Sequence, residues 1–171
     1  MIHVYYGNGK GKTTAALGLA VRALGCGKRV IIVQFLKRRE SGEIAVLESL
    51  DGITLLRGKA TDKFSFEMNS QEKKLTKVVH DEHLKKAAHL VEEGSCDLLI
   101  LDEVLCAIAA QLLDESFFVA FLERLPDNVE IVLTGQKAPD YIRDKADYIT
   151  HMQAEKHPFK QGTLARKGVE F

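Results

Sequence analysis

The chain has 171 residues, 46% hydrophobic and 28% charged, with 24 basic residues balancing 24 acidic ones. That length suits one domain with a sizeable core, and the composition is that of an ordinary globular protein. Zero net charge argues against nucleic acid or an anionic membrane as the main partner, and no stretch reaches the roughly 18 apolar residues that a membrane-spanning helix needs.

Residues Ile2 to Tyr6 are largely β-branched and aromatic and predict a strand that starts almost at Met1, so no secretory leader is expected. Gly7 to Gly11 breaks that pattern, and Thr13 to Leu24, rich in Ala and Leu, predicts a helix ended by Gly25 and Gly27. Arg29 to Leu36 contains Val30-Ile31-Ile32-Val33, a run of the kind buried on both faces of a parallel sheet. These pieces make one right-handed βαβ unit.

Lys37 to Gly42 is a charged loop, Glu43 to Leu50 a short helix, and Ile53 to Leu56 a third strand. Gly58 to Asn69 lacks a period and reads as a loop. Ser70 to Glu93 is a long helix, with Ser70 as its expected N-cap and Gly94 as its stop. Strands follow at Leu98 to Leu101, Val129 to Leu133 and Tyr148 to His151. Helices fill the gaps at Val104 to Leu113, Glu115 to Leu125 and Pro139 to Lys145. The last stretch, Glu155 to Phe171, is irregular but carries apolar anchors at Pro158, Phe159 and Phe171, so it is expected to pack on the domain. The alternation predicts a single α/β domain over 1–171, with a mainly parallel sheet flanked by helices.

Two segments carry chemistry. In Gly7-Asn8-Gly9-Lys10-Gly11-Lys12-Thr13, a glycine-rich turn joins a strand to a helix that opens on Lys-Thr, as in a P-loop. The glycines let backbone N–H groups turn towards phosphate oxygens, and the helix N-terminus adds partial positive charge. Lys12 supplies a full charge and the Thr13 hydroxyl can ligate Mg²⁺ or Mn²⁺. The plain alternative is a surface turn. The usual G-x-x-x-x-G-K-[ST] spacing would place the first glycine at position 6, which is Tyr6, so this loop is one residue short. The second segment, Leu98-Leu99-Ile100-Leu101-Asp102-Glu103, is an apolar strand ending in two carboxylates, the Walker B pattern. Asp102 would hold the metal, and Glu103 would ligate it or orient a reactant. The competing reading is a pair of acids that starts a helix.

Further segments join these two: Val33-Gln34-Phe35-Leu36-Lys37, Phe64-Ser65-Phe66-Glu67, Leu133-Thr134-Gly135-Gln136, Lys156-His157-Pro158-Phe159 and Gly162 to Phe171. With Gly7 to Thr14 and Leu101-Asp102-Glu103, they resemble the corrinoid adenosyltransferases over nearly the whole chain and in order. The short loop is itself a feature of that family. The resemblance implies a P-loop NTPase-like, RecA-like fold. It also implies transfer of the adenosyl group of ATP to the cobalt(I) of cob(I)yrinic acid a,c-diamide or cob(I)alamin, with triphosphate leaving. Asn8, Lys10 and Thr14 join Gly7, Gly9, Gly11, Lys12 and Thr13 as expected ATP contacts, and Glu103 as an acid at the metal.

Phe64 and Phe66 match two aromatics that displace the lower axial ligand of cobalt(II), which eases its reduction. The family often has Trp where this chain has Phe66. Core packing is the bland alternative for both rings. Lys37 and Gln34 are weaker matches, and Lys37-Arg38-Arg39 is a basic cluster after a strand end. The resemblance further implies a cytoplasmic homodimer and an electron donor such as a flavoprotein. Some members have an N-terminal extension over the active site, whereas here a lid is expected from the corrinoid, a partner subunit or the Phe64 loop. A kinase or ATPase acting at the γ-phosphate is the alternative function, and a nucleotide-dependent switch a third.

Cys26, Cys96 and Cys106 are odd in number and form no C-x-x-C pair, which argues against a disulfide framework and a four-thiolate zinc site. His80, His83 and His89 lie on the long helix among Lys73, Lys74, Lys77, Lys85 and Lys86. No carboxylate or cysteine completes a zinc signature there, and the group reads as a solvated, salt-bridged face.

Overall fold

A computed structural model describes residues 1–37, 41–158 and 162–169. The basic pair Arg38-Arg39 and the anchors Phe159 and Phe171 lie outside the described residues. The chain runs β1 (Ile2–Tyr6), α1 (Lys12–Gly25), β2 (Val30–Gln34), α2 (Gly42–Glu48), β3 (Ile53–Arg57) and α3 (Ser70–Glu92). It continues through β4 (Leu98–Asp102), α4 (Val104–Ala109), α5 (Glu115–Glu123), β5 (Glu130–Gly135), α6 (Asp140–Arg143) and β6 (Tyr148–His151). The six strands form one sheet in the order β3-β2-β4-β5-β1-β6, and every pairing is parallel. This is the expected P-loop NTPase-like α/β fold. β5 stands between β1, which ends in the glycine-rich loop, and β4, which ends in the two carboxylates.

Strand side chains alternate between two helix layers, because successive Cβ atoms point to opposite faces. Val4, Ile31, Val33, Leu99, Leu101, Ile131 and Leu133 face the larger cluster built with α3, α4 and α5. Val30, Ile32, Leu98, Ile100 and Val132 face the smaller cluster, against Ala16 and Ala20 of α1 and Leu47 of α2. β2 and β4 are buried at every position, which is why their sequences read as unbroken apolar runs. β6 is the opposite case: all four residues are exposed on an edge strand.

Three expectations change. Asn69, not Ser70, caps α3. Its side chain accepts the Glu72 N–H at 2.9 Å while Glu72 accepts the Asn69 N–H at 2.8 Å, a capping box that satisfies two donors at once. His80 does not lie on a solvated face but is completely buried. The predicted helix from Val104 to Leu113 stops at Ala109. Leu112 and Leu113 instead enter the core from a turn with Gln111 at φ 58°. Elsewhere on α3, Lys77 and Asp81 form an ion pair one turn apart. Among the described residues no helix is long and apolar enough to cross a membrane.

Candidate functional site

The C-terminal ends of β1, β2, β4 and β5 meet where open parallel sheets bind ligands. β1 delivers Gly7 at φ 123°, a conformation that only glycine adopts freely. A Cβ there would overlap the Met152 carbonyl oxygen, and one on Gly9 would lie 2.7 Å from that same atom. The loop is pinned by its neighbours: Gly7 N–H donates to the Gly135 carbonyl at 3.1 Å and Gly9 N–H to the Met152 carbonyl at 2.7 Å. Asn8 holds the segment after β6 by accepting the Ala154 N–H at 3.0 Å. Gly11, at φ 111°, turns the chain into α1, and Ala15 N–H makes the first helical bond to its carbonyl. The amides of Lys12, Thr13 and Thr14 stand ahead of that bond, and no side chain caps this helix start. That is the geometry of an anion site on a helix N-terminus. The Lys12 ammonium folds over the loop onto the Gly9 carbonyl at 2.8 Å. Lys10 and Thr14 are exposed.

Asp102 ends β4, completely buried, beside Gln34 of β2 in register. Its Oδ1 accepts the Thr13 hydroxyl at 2.9 Å and the Thr134 hydroxyl at 2.8 Å, and its Oδ2 accepts the Lys37 ammonium at 2.6 Å. Gln34 adds a longer contact at 3.4 Å, and its own buried Oε1 has no protein partner. The Asp102 side chain therefore faces the phosphate loop, while Glu103 occupies the N-cap position of α4 without a side-chain capping bond. Glu103 follows in the left-handed region at φ 61°, its N–H held by the Thr134 hydroxyl at 2.8 Å. A non-glycine residue in that conformation is held there by its surroundings. Gly135 is needed for packing, since a Cβ would sit 2.5 Å from that of Leu105 on α4.

The donor set fits a hard divalent cation. Thr13 and Asp102 offer oxygen ligands, and a cation, the Lys37 ammonium, already lies against both. Among the described residues no cluster of three or more His, Cys, Asp or Glu side chains gathers at one point. The remaining ligands would have to come from phosphate oxygens and water, the pattern usual for Mg²⁺.

The other candidates divide clearly. Phe64 and Phe66 are 57% and 80% exposed, so neither is a core residue. Their rings stack in parallel with centroids 5.5 Å apart. Gln34, Lys37 and Thr134 turn out to surround Asp102, although only the strand-end position of each hinted at it. His80 is the residue that sequence reading misplaced. Its Nε2 accepts the Leu36 N–H at 3.2 Å and its Nδ1 donates to the Leu112 carbonyl at 2.9 Å. Burial holds its pKa down at about 4, so it is neutral. Cys106 lies near Glu103, and burial with that acid's charge pushes its thiol up to about 12. Burial likewise raises Cys96 to about 11, so neither is a nucleophilic thiolate.

Cavities flank the loop on both sides. One, of about 350 Å³, lies between Gly7, Asn8, Gln136, His151 and Gln153. The other, of about 710 Å³, runs from Thr13, Thr14 and Lys37 along the apolar side chains of α1 and α2.

The sequence pattern described as ATP:corrinoid adenosyltransferase BtuR/CobO/CobP matches residues 1–171. A corrinoid adenosyltransferase of Pseudomonas aeruginosa is 34% identical over 98% of this chain and 82% of the relative. One of Escherichia coli K12 is 33% identical over the whole chain and 85% of the relative. One of a Sinorhizobium species is 32% identical over the whole chain and 80% of the relative.

Proposed function

The chain belongs to the ATP:corrinoid adenosyltransferase family, and from that premise we propose that it joins the 5′-carbon of ATP to the cobalt(I) of cob(I)yrinic acid a,c-diamide or cob(I)alamin. A cobalt–carbon bond forms as the carbon–oxygen bond to the α-phosphate breaks, and triphosphate departs with the bonding electrons. Cobalt(I) brings its own electron pair, so the protein need not remove a proton from the nucleophile.

The protein's work is then on the leaving group. Lys12, the amides that open α1 and the positive end of that helix stabilise the charge that grows on the α-phosphate oxygen. Thr13 and Asp102, with Glu103 beside them, would hold Mg²⁺ or Mn²⁺, which supplies further positive charge to the triphosphate. Phe64 and Phe66 would lie against the corrin ring, blocking the lower axial position so that cobalt(II) accepts an electron more easily. The juxtaposition of the short loop with the Thr13–Asp102 pair carries this reading, in a chain that matches the family from end to end. A γ-phosphate kinase or ATPase is not favoured by that match. The family resemblance also supports a cytoplasmic homodimer served by a reducing partner such as a flavoprotein, with residues 155–171 as part of the same domain.

The test is anaerobic incubation with ATP, Mg²⁺ and chemically reduced corrinoid. A light-sensitive cobalt–carbon product and intact tripolyphosphate are expected. Orthophosphate release without corrinoid, and no adenosylated product, would overturn the proposal.

A further inference from the structure

β2 ends in a turn that aims one lysine at the cation seat. Phe35 is buried, and Leu36 takes φ 59° with its N–H held by His80 Nε2 at 3.2 Å. The next residue, Lys37, is thereby directed over the strand ends. Its ammonium lies 2.6 Å from Asp102 Oδ2 and 3.1 Å from Thr13 Oγ1. The Thr13 hydroxyl has one proton, and it goes to Asp102 Oδ1 at 2.9 Å. Lys37 therefore takes a lone pair of that oxygen, and a lone pair is also what a divalent cation must use.

We infer that Lys37 is the resident counter-ion of Asp102 and Thr13, which a divalent cation displaces and which then passes to the triphosphate. The inference rests on reading this sheet edge as a metal–triphosphate site. The chemistry requires an exchange. A magnesium ion bonds its oxygen ligands at about 2.0–2.1 Å, and an ammonium on the same oxygens would be forced against it. Lys37 cannot simply be dispensed with either, because it balances a fully buried carboxylate. At 28% exposure its side chain already reaches towards solvent and lines the larger cavity beside Thr14. A metal ion arriving alone must push a paired ammonium into water. A metal ion arriving with triphosphate gives that ammonium a new anionic partner. Metal and triphosphate are thus coupled through one side chain, and the coupling is reciprocal.

The experiment compares the protein with Lys37→Met, without nucleotide, by Mn²⁺ titration and by thermal unfolding in EDTA and in Mn²⁺. The variant is expected to unfold at a lower temperature in EDTA and to recover in Mn²⁺. It should bind Mn²⁺ tighter than the unaltered protein by a factor within the range of about 5–150 usual for coupled sites. The unaltered protein's unfolding temperature should not respond to the same Mn²⁺. Equal Mn²⁺ affinity in the two proteins, or no Mn²⁺ rescue of the variant, overturns the inference. If Lys37→Met does not accumulate folded, Lys37→Gln, which is one bond shorter but keeps an uncharged N–H donor, serves for the same readings. Corrinoid adenosylation by the unaltered protein separates the two ideas. Activity with failed Mn²⁺ predictions removes only the role of Lys37, whereas the Mn²⁺ result without activity removes only the proposed reaction.

Discussion

The Thr134 hydroxyl donates to Asp102 Oδ1 at 2.8 Å and accepts the Glu103 N–H at 2.8 Å, so one buried side chain of β5 holds both acids at the end of β4. Thr134→Val keeps the shape and removes both bonds. It leaves a backbone N–H without its partner and takes a donor from a buried carboxylate, at a cost of about 1–3 kcal/mol. Thr134→Ser should lose far less. Urea unfolding of the two variants checks this, and a valine variant as stable as the serine one would mean that the bridge contributes nothing.

The glycines of the phosphate loop and of α1 should respond in opposite directions. Gly9→Ala places a Cβ 2.7 Å from the Met152 carbonyl oxygen, against backbone that cannot swing aside. The loop must shift, and ATP affinity should fall with it. Gly18 sits inside α1 with open space around its missing Cβ. Gly18→Ala should stabilise the protein by about 0.5–1 kcal/mol, because alanine gives up less backbone entropy in a helix. Isothermal titration and thermal unfolding read the two effects. A Gly9→Ala protein with normal ATP affinity would show that the loop does not need its close contact with Met152.

Lys12→Ala should lower kcat/KM by about 10²–10³, the loss expected when one preorganised donor to a developing anion is removed, or about 2.7–4 kcal/mol. Its ammonium is bonded to the loop through Gly9, so circular dichroism and unfolding should accompany the kinetics. Near-normal turnover would mean that the loop does not stabilise the departing charge.

The sequence made the sheet and the phosphate loop legible because both have strong local causes. An apolar run such as Val30 to Val33 has few alternatives to a buried strand, and strand, glycines, Lys-Thr and helix form one continuous signal. The position of Asp102 at the end of its strand was legible for the same reason. The partners of Asp102 were not found as a group. Gln34 ends β2, Lys37 follows in the turn after it and Thr134 lies on β5, and only the parallel register of β2, β4 and β5 brings them to Asp102. His80 failed for a different reason. It sits among lysines and acids whose pattern suits a wet helix face, but α3 turns it inward, towards the backbone of Leu36 and Leu112. Nothing local to its sequence announces those partners. The cap of α3 was missed by one residue, since Asn69 and Ser70 are both good caps and only the reach of Glu72 decides between them.

Phe64 and Phe66 offer a test in which fold and function separate. Both rings are exposed, so Phe64→Ala and Phe66→Ala should change stability by no more than about 0.5 kcal/mol. If they lie on the corrin ring, adenosylation that starts from cobalt(II) with an enzymatic or mild reductant should fall at least tenfold (about 1.4 kcal/mol). Adenosylation of corrinoid already reduced to cobalt(I) should fall less. Equal losses by the two routes would assign the rings to general substrate binding.

His80 predicts how stability depends on pH. In the folded chain its neutral ring accepts from Leu36 and donates to Leu112, with Phe35 edge-on at 5.2 Å. Of its charged and titratable neighbours, His83 and Lys59 oppose protonation and Asp81 favours it, but burial dominates and sets the pKa at about 4. Unfolded, the ring titrates near its ordinary 6.5. Between those values the unfolded chain binds the extra proton. The stabilisation is therefore complete well above pH 6.5 and is lost as pH falls towards 4, by roughly 3 kcal/mol. Burial lowers the pKa of His83 too, which adds a slope of the same sign. Asp97, held at about 2 by the Arg29 guanidinium, titrates below this window and does not mask it. A protonated His80 could no longer accept the Leu36 N–H, so the turn that aims Lys37 should loosen first. Urea unfolding at several pH values between 7 and 4.5 should show the decline, and His80→Gln should flatten it while lowering stability at pH 7. An unchanged slope in the variant would place the acid sensitivity elsewhere.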